Sequence, residues 1–387
     1  MSDATPAKRN LFLTLLRRLI ATVLVLIVLL ASLLLYWRFR PNGSVIHPDL
    51  TMEYWPAVAN EWHNSNTDLI HWNDAFYLVH AQSPYHFASP ECVLVVRRST
   101  DACNWEELGT VNVPDEDIRD PKFAVFGDEL FMYVLKNVDF AAEPYTTSLT
   151  TTKDGIHWSP LEDMDLEGWL FWRPKTRDGK TWYLPAYWHE HGRSMLFKTT
   201  DGRNWEEVSE IYNGDRNDET DIEFLPSGRM IATARLEVSD SAFGHPEART
   251  TVGWADPPYT EWTHTDSYVT RLDGPALFPY KGAVYAVGRH NPQTPRWPHY
   301  FGSIFGTKRT ALYKVEQDKL IHLSDLPSAG DTAYAGVVIE GDTLYASYYT
   351  SDINHDWPWI MGMLEESNIE MVKVDLNSLK AIADAME

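Results

Sequence analysis

The chain has 387 residues and carries a net charge of −22. Its first 40 residues contain six basic side chains and one acidic side chain, so residues 41–387 carry a net charge of −27. Such an acidic surface disfavours nucleic acid and other polyanions, although a local basic pocket can still bind an anion. We therefore expect no nucleic-acid partner.

The first predicted element is an apolar helix. Residues 19–37 contain no charge, and at roughly 1.5 Å per residue they form about 28 Å of helix, which is enough to span a bilayer. More basic residues precede this segment than follow it, which favours a cytoplasmic N-terminus. We expect a cytoplasmic tail over 1–18, an uncleaved signal anchor over 19–37, and the remaining chain on the exported side (periplasmic, extracellular or lumenal). A cleaved signal peptide is the alternative.

A seven-residue pattern recurs three times in the first half of the chain. A Ser or Thr is followed two positions later by Asp and six positions later by Trp, at residues 99–105, 152–158 and 199–205. In such a turn the Asp carboxylate accepts backbone N–H groups, Gly takes a left-handed conformation, and the indole packs beneath. The pattern predicts three structural hairpin turns.

A second kind of polar turn recurs about every fifty residues between apolar strands. These turns are Asn73-Asp74, Gly127-Asp128, Asp178-Gly179, Ser227-Gly228, Lys281-Gly282 and Gly341-Asp342. Six units of four strands predict an all-β fold, a six-bladed β-propeller over residues 66–376. The last unit is one strand short. We therefore expect a strand within 44–55, in the linker 38–65, to close the ring, and a C-terminal tail over 377–387.

One face of this propeller concentrates long loops and charged residues. Antiparallel topology places the starts of the innermost strands, the ends of the second strands and the following loops on the same face. Long loops on a rigid scaffold usually carry function, and charges near the axis are costly to bury without a partner. A ligand pocket explains this pattern, and structural ion pairing between blades is the alternative. The candidate residues are Arg119, Asp120, Arg173, Glu219, Asp221, Asp273, His80, Arg235, Arg289, Trp188, Trp297 and Trp357.

Over residues 66–376 the chain resembles the sialidase-like Asp-box (BNR-repeat) propellers. The three Asp turns carry the resemblance, and the segment 217–235 is similar to the sialidase strand pair that bears a Glu and a carboxylate-binding Arg. Asp331-Thr332-Ala333-Tyr334 stands where these enzymes place a nucleophilic Tyr. The resemblance implies that Tyr334 is the nucleophile, Glu219 its base, and that three Arg bind a substrate carboxylate while an Asp is the acid/base.

The first blade departs from that family. It begins Leu69-Ile70-His71-Trp72 without an Arg, and its loop 81–91 contains no Asp. Arg119 or Arg173 would complete an Arg cluster from other blades, and Asp120 and Asp273 are further candidates for the catalytic acid.

Two function classes follow from this sequence. The first is a membrane-anchored, glycan-directed enzyme, a glycoside hydrolase acting on an anionic sugar but without ordinary sialidase activity. The second is a non-catalytic propeller that binds glycan or protein in the cell envelope. In both, the expected partners are a glycan and, through the N-terminal helix, the lipid bilayer. We expect no cofactor and no metal site.

Overall fold

The computed structural model of the protein describes residues 6–137 and 146–386. It is a six-bladed β-propeller, so the predicted all-β fold is confirmed. A helix, α1 (Pro6–Phe39), and a first strand, β1 (Met52–Val58), precede the five blades that are continuous in sequence.

The first three blades follow in chain order. Blade 1 contains β2 (His63–Trp72), β3 (Ala75–Ser83), β4 (Val93–Ser99) and β5 (Glu106–Val111). Blade 2 contains β6 (Asp117–Phe126), β7 (Glu129–Asn137), β8 (Thr146–Thr152) and β9 (Glu162–Asp163). Blade 3 contains β10 (Trp169–Phe171), β11 (Lys175–Thr176), β12 (Trp182–Trp188), β13 (Arg193–Thr199) and β14 (Glu206–Asn213).

The last three blades complete the ring. Blade 4 contains β15 (Asn217–Phe224), β16 (Met230–Leu236), β18 (Arg249–Ala255) and β19 (Thr263–Ser267). Blade 5 contains β20 (Asp273–Tyr280), β21 (Ala283–His290), β23 (Arg309–Val315) and β24 (Leu320–Asp325). Blade 6 contains β25 (Thr332–Glu340), β26 (Thr343–Thr350), β27 (Asn368–Asp375) and β1. The short strands β17 (Gly244–His245) and β22 (Phe301–Gly302) pair above blades 4 and 5, and α2 (Trp359–Gly362) and α3 (Leu376–Ala385) flank β27.

The recurring Asp turns make the hydrogen bonds that their sequence predicts. Asp201 Oδ1 accepts the backbone N–H groups of Arg203 and Asn204, both at 2.8 Å. Gly202 takes the left-handed conformation in this turn, with φ +74°, whereas Ala102 takes it in the first turn. The three turns join the third and fourth strands of blades 1, 2 and 3 on the surface, so they are structural.

The innermost strands share one irregularity near their first residues. In five blades the register to the second strand shifts there, and the shifts lie between Ser65 and Asp68, Arg119 and Lys122, Asn217 and Thr220, Asp273 and Ala276, and Ala333 and Gly336. In blade 3 the innermost strand is instead interrupted between β10 and β11. A bulge re-aims the side chain at the extra residue. The bulges therefore turn side chains toward the axis at one level of the ring.

The described part of the chain is helical at both of its ends. The stretch Leu11–Phe39 of α1 is apolar and long enough to cross a membrane by length and composition, and its most apolar part is not buried against the propeller. Since α1 begins at Pro6, residues 6–18, expected as part of a tail, belong to the helix. The expected C-terminal tail is also a helix, because α3 buries Leu379, Ile382 and Ala383 against blades 5 and 6.

The N-terminal strand β1 closes the ring. It pairs antiparallel with β27, from Met52 opposite Val374 to Val58 opposite Ile369. It overlaps the expected window 44–55 but extends three residues beyond it. Upstream of β1 the linker lies along β24, where Val45 N–H donates to Asp325 Oδ2 at 2.7 Å. Two blades therefore depend on residues 41–58.

We expect a chain lacking residues 1–40 to fold, and a chain lacking residues 1–58 to lose more than about 10 °C of melting temperature or not to fold. The longer deletion exposes the edge of β27 and apolar blade surface. Circular dichroism melting of both truncations tests this, and equal melting temperatures would contradict the role of β1.

Candidate active site

A cavity of about 320 Å³ opens at the end of the channel where the innermost strands begin. The residues that line this cavity include Asn66, His86, Arg119, Asp120, Tyr187, His191, Glu219, Arg235, Glu237, Arg271, Arg289, Tyr334 and Trp359. The bulges described above contribute Asn66, Asp120, Glu219 and Tyr334, from four different blades.

Tyr334 and Glu219 form the central pair. The Tyr334 hydroxyl donates a short hydrogen bond to Glu219 Oε1, and both side chains are buried. Glu219 Oε2 accepts the Gly274 N–H at 2.6 Å and lies 3.1 Å from Arg235 Nη1. Gly274 has φ +60°, and a Cβ there would lie 2.8 Å from the Tyr334 ring, so only glycine lets the ring take this position. A phenol is thus paired with a fixed carboxylate.

Burial raises the pKa of both members of this pair. The pKa of Glu219 rises to about 7, because burial and the nearby Asp218 and Asp273 outweigh Arg235 and the Tyr334 hydrogen bond. The pKa of Tyr334 rises well above its usual value, because burial and Glu219 outweigh the two nearby Arg. Glu219 can therefore exchange a proton near neutral pH, and Tyr334 stays neutral until a base takes its proton.

Three guanidinium groups surround one carboxylate beside this pair. Arg271 Nε donates to Asp273 Oδ1 at 2.7 Å, Arg235 Nη1 lies 3.7 Å from the same oxygen, and Arg289 Nη1 lies 3.5 Å from Asp273 Oδ2. Burial raises the pKa of Asp273, but the three Arg outweigh burial, and the pKa is lowered. Asp273, a candidate catalytic acid by sequence, is therefore held ionised and serves as the counter-ion of the three Arg.

The three Arg have further carboxylate partners. Arg235 Nε donates to Asp218 at 2.7 Å, and Arg271 Nη1 lies 3.4 Å from Glu237. Arg289 donates from Nη2 to Asp331 at 3.2 Å. Buried charges need such partners, and removal of one member is costly. Since the 3.5 Å contact of Arg289 Nη1 is longer than an ordinary hydrogen bond, this nitrogen keeps donor capacity for a ligand.

Asp120 and Arg119 lie on the blade 2 side of the cavity. Asn66 Nδ2 donates a short hydrogen bond to Asp120 Oδ1, and Asp120 has φ +50° in its bulge. Arg119 is held by Asp117 at 2.5 Å and donates to the His86 carbonyl at 3.2 Å. Asp120 is thus a carboxylate of the cavity wall, whereas Arg119 is already bound to Asp117 and stands apart from the other three Arg.

Besides Asp273, six other residues predicted from sequence do not line this cavity. Arg173 reaches across the axis to Asp68 and the Ala335 carbonyl, and the backbone N–H of Leu277 donates to Asp221 at 2.8 Å. These two residues tie blades together. His80 is buried in blade 1, where it accepts from Arg97 Nε at 3.3 Å.

The three predicted tryptophans lie outside the cavity for different reasons. Trp188 packs on Trp169 within blade 3, and Trp297 is 73% exposed. Trp357 is buried beside His355, and the neighbouring Trp359 points to the cavity instead, donating from Nε1 to Asp331 at 2.7 Å. The indole rings of Trp357 and Trp359 face different sides. Trp359, the first residue of α2, is the one that reaches the axis.

Sequence reasoning missed Arg271, and it did not choose His86, His191 or Trp359 as site residues. Arg271 stands two residues before Asp273, the same spacing as between Asp117 and Arg119 at the start of blade 2. That spacing was the available signal, because side chains two apart on a strand share a face. The other three lie in the long loops after the second strands, where length alone does not select a residue.

Comparisons with known proteins support the fold. No protein-family model and no curated protein sequence matches the chain. Among solved structures, an endosialidase of phage phi92 has a TM-score of 0.63 at 9% identity, over 84% of this chain and 69% of that one. A Trypanosoma rangeli sialidase bound to the inhibitor DANA has a TM-score of 0.59 at 11% identity, over 90% of this chain and 60% of that one.

A Fusarium graminearum α-L-arabinofuranosidase bound to arabinobiose is similar as well, with a TM-score of 0.57 at 12% identity, over 87% of this chain and 98% of that one. The chain therefore spans about three fifths of the sialidase but nearly all of the arabinofuranosidase. At these identities the likeness shows the sialidase-like propeller fold, which confirms the resemblance at the level of fold.

The raised pKa of Glu219 has a consequence for stability. The folded state holds a proton on Glu219 up to about pH 7, whereas an unfolded Glu releases it near pH 4.3. The contribution of this group to stability is therefore complete below about pH 4.3 and is lost as the pH rises to about 7.

The side chain of Glu219→Gln does not ionise. Between pH 4.5 and 8 we therefore expect the free energy of unfolding of this variant to rise by up to roughly 3 kcal/mol relative to that of wild type. Urea unfolding over this pH range measures the difference, and Glu223→Gln in the same strand is the control. If the difference in free energy of unfolding between wild type and Glu219→Gln does not change with pH, Glu219 keeps an ordinary pKa.

Proposed function

We propose that the protein is a glycoside hydrolase that forms a covalent glycosyl intermediate on Tyr334. The observation that carries this proposal is the hydrogen bond from Tyr334 to Glu219 inside the cavity bounded by Arg235, Arg271 and Arg289. A buried phenol is a poor nucleophile until a neighbouring base takes its proton. Glu219 is held in position by Gly274 and Arg235 to do this.

In the first step, Glu219 takes the Tyr334 proton and the phenolic oxygen attacks the anomeric carbon. The bond to the leaving-group oxygen breaks, and that oxygen takes a proton from Asp120. Asp120 is the proposed donor because it lines the cavity from the blade 2 bulge, and loop 81–91, where the family carries its Asp, has none.

In the second step, Asp120 takes a proton from water as the water oxygen attacks the anomeric carbon. The bond between carbon and phenolic oxygen breaks, and Glu219 returns its proton to Tyr334. A glycosyl-Tyr intermediate attacked from the opposite side leads to retention of configuration. Each group thereby returns to its starting protonation state.

The proposed substrate carries an anionic group. Arg235, Arg271 and Arg289 lie on the cavity wall beside the Tyr334 pair, and Arg binds carboxylates in a planar, two-pronged geometry. A neutral nucleophile also suits this site, because an anionic one would be repelled by the substrate and by Glu219, Asp218 and Asp273 nearby. The arabinofuranosidase neighbour makes a neutral sugar the alternative.

We propose that α1 anchors this enzyme in a membrane with its N-terminus in the cytoplasm. The apolar stretch of α1 supports a span, and the basic residues before it favour this orientation. The propeller would then act on glycans at the exported side, close to the membrane surface.

Tyr334→Phe tests the catalytic proposal, because it keeps the ring and removes only the hydroxyl. Using the full chain in detergent and a panel of aryl sialosides, uronides and arabinosides, we expect turnover of the best substrate to fall by at least about 10³-fold. Tyr187→Phe is the matched control, since Tyr187 lines the same cavity but is not bonded to Glu219, and it should keep most of the activity.

If Tyr334→Phe keeps most of the activity, Tyr334 is not the nucleophile. If the wild-type chain binds glycan but cleaves none of the panel, the non-catalytic glycan-binding alternative replaces the proposal.

Binding of sugar analogues tests the anionic substrate separately from catalysis. Arg235→Ala or Arg289→Ala should weaken binding of DANA by about 1.5–3 kcal/mol, the loss of a hydrogen bond to a charged group. Calorimetry with arabinobiose in parallel shows whether the loss is specific to the anion, and Arg177→Ala, on an exposed turn, is the control. Unchanged DANA affinity in both cavity variants would rule out these Arg as the anion site.

A further inference from the structure

We propose a divalent metal site, best suited to Zn²⁺, formed by His63 Nε2, His86 Nδ1 and Asp331 Oδ2. These three atoms lie within 4.8 Å of one another, with Nε2 of His63 at 3.3 Å and Nδ1 of His86 at 2.7 Å from the Asp331 oxygen. All three atoms are buried, and none has a hydrogen-bond partner of acceptable geometry. Three buried lone-pair atoms that point at one another require a cation or a proton between them.

The fold brings these residues together where blades 6 and 1 meet. His63 is the first residue of β2, Asp331 directly precedes β25, and His86 lies in the loop between β3 and β4. His86 also lines the central cavity. The three ligands are more than 20 residues apart in sequence, so no local sequence motif predicts this site.

The tautomer of His63 favours a metal. Its Nδ1 lies 2.7 Å from the Glu365 carbonyl oxygen, which can only accept, so Nδ1 carries the hydrogen. In the neutral ring, Nε2 then directs a lone pair at the Asp331 oxygen. Histidines that bind metals usually donate their other ring N–H to a carbonyl or carboxylate in this way.

Asp331 is oriented in the same manner. Its Oδ1 accepts three hydrogen bonds, from Trp359 Nε1 at 2.7 Å, Arg289 Nη2 at 3.2 Å and the Tyr349 hydroxyl at 3.0 Å. Its Oδ2 accepts none. The carboxylate is thus fixed by one oxygen while the other faces the two imidazoles, as expected for a ligand held by outer-shell partners.

The distances suit a tetrahedral ion. Zn–N and Zn–O bonds of about 2.0–2.2 Å at tetrahedral angles place ligand atoms about 3.3–3.5 Å apart. The His63 contact has this length, and the His86 contact would lengthen by about 0.6 Å on binding. Two His and one carboxylate leave a fourth position for water or a substrate oxygen, as in catalytic zinc sites.

Two other groups fit a metal less well. His290, His322 and Asp325 have the same composition, but His290 Nδ1 is already hydrogen-bonded to the Tyr313 hydroxyl at 2.7 Å and His322 Nε2 to Asp325 Oδ1 at 2.9 Å. The other group has one His and two carboxylates. His191 Nδ1 lies 3.2 Å from Asp218 and 3.1 Å from Glu237, but Arg235 contacts both carboxylates. A guanidinium already neutralises that group. In the proposed site, Arg289 contacts only the Oδ1 side of Asp331 and leaves Oδ2 to the imidazoles.

Zinc binding is measured on the full chain in detergent, without glycan, so the result is independent of the role of Tyr334. The chain is treated with a chelator, titrated with ZnCl₂, passed through gel filtration and analysed for bound metal. We expect about one zinc per wild-type chain, and at least about tenfold less in His86→Ala and in His63→Gln. His322→Ala is the matched control, because His322 belongs to the other group of two His and one Asp, at 2.9 Å from Asp325, and this variant should keep its zinc.

Melting temperatures separate metal binding from an imidazolium–carboxylate ion pair. If the site binds zinc, ZnCl₂ raises the melting temperature of wild type and of His322→Ala but not of His86→Ala. If the group is only an ion pair, His86→Ala shifts the melting temperature while wild type retains less than about 0.2 zinc per chain. That outcome, or equal zinc retention by wild type and His86→Ala, overturns the proposal.

Discussion

The irregularity near the start of each innermost strand, a bulge in five blades and a break in blade 3, is the constraint on which the site depends. A regular strand alternates its side chains between the two faces of a blade, so no regular residue points along the channel. The extra residue in the bulge breaks this alternation, and in blades 2 and 6 it takes a positive φ at Asp120 and Tyr334. Five blades place such residues at one level, and charged side chains converge where a β-sheet core would otherwise be apolar.

Convergence of charge explains why nearly every cavity residue has a partner of opposite charge. Burial penalises each charge, and the penalty falls only if the charge is paired and hydrogen-bonded. Asp273 meets three guanidinium groups, while Glu219 has Asp218 and Asp273 nearby and Arg235 at 3.1 Å. These two neighbouring carboxylates, of which Glu219 lines the cavity, therefore have pKa values shifted in opposite directions. Such divergence is what separates a proton acceptor from a permanent counter-ion.

Ring closure matters to the site as well as to stability. Blade 6 carries Tyr334 and Asp331, and its outermost strand β1 comes from the N-terminal end of the chain. The contact between blades 6 and 1 also places His63 and His86 against Asp331. The segment that joins α1 to the propeller thus supports blade 6, which contributes residues to both proposed sites.

Local sequence determined the parts of this protein that need only near neighbours. An Asp carboxylate reaches N–H groups two and three residues away, so the turns at 101, 154 and 201 follow from their own residues. The spacing of the turns revealed the blades, and the hydropathy of 19–37 revealed the helix. Glu219, Tyr334, Arg235 and Arg289 line the cavity, because the start of an innermost strand and the end of its neighbour share one face.

Only the tertiary structure decided which remaining side chains reach the cavity. Arg173 lies in the break between β10 and β11 and reaches across the axis to Asp68, whereas Arg271, two residues before β20, reaches Asp273. Trp359 rather than Trp357 faces the cavity because α2 begins there. Each choice depends on the direction of a bulge, a break or a loop, and these are set by contacts between blades that are far apart in the chain.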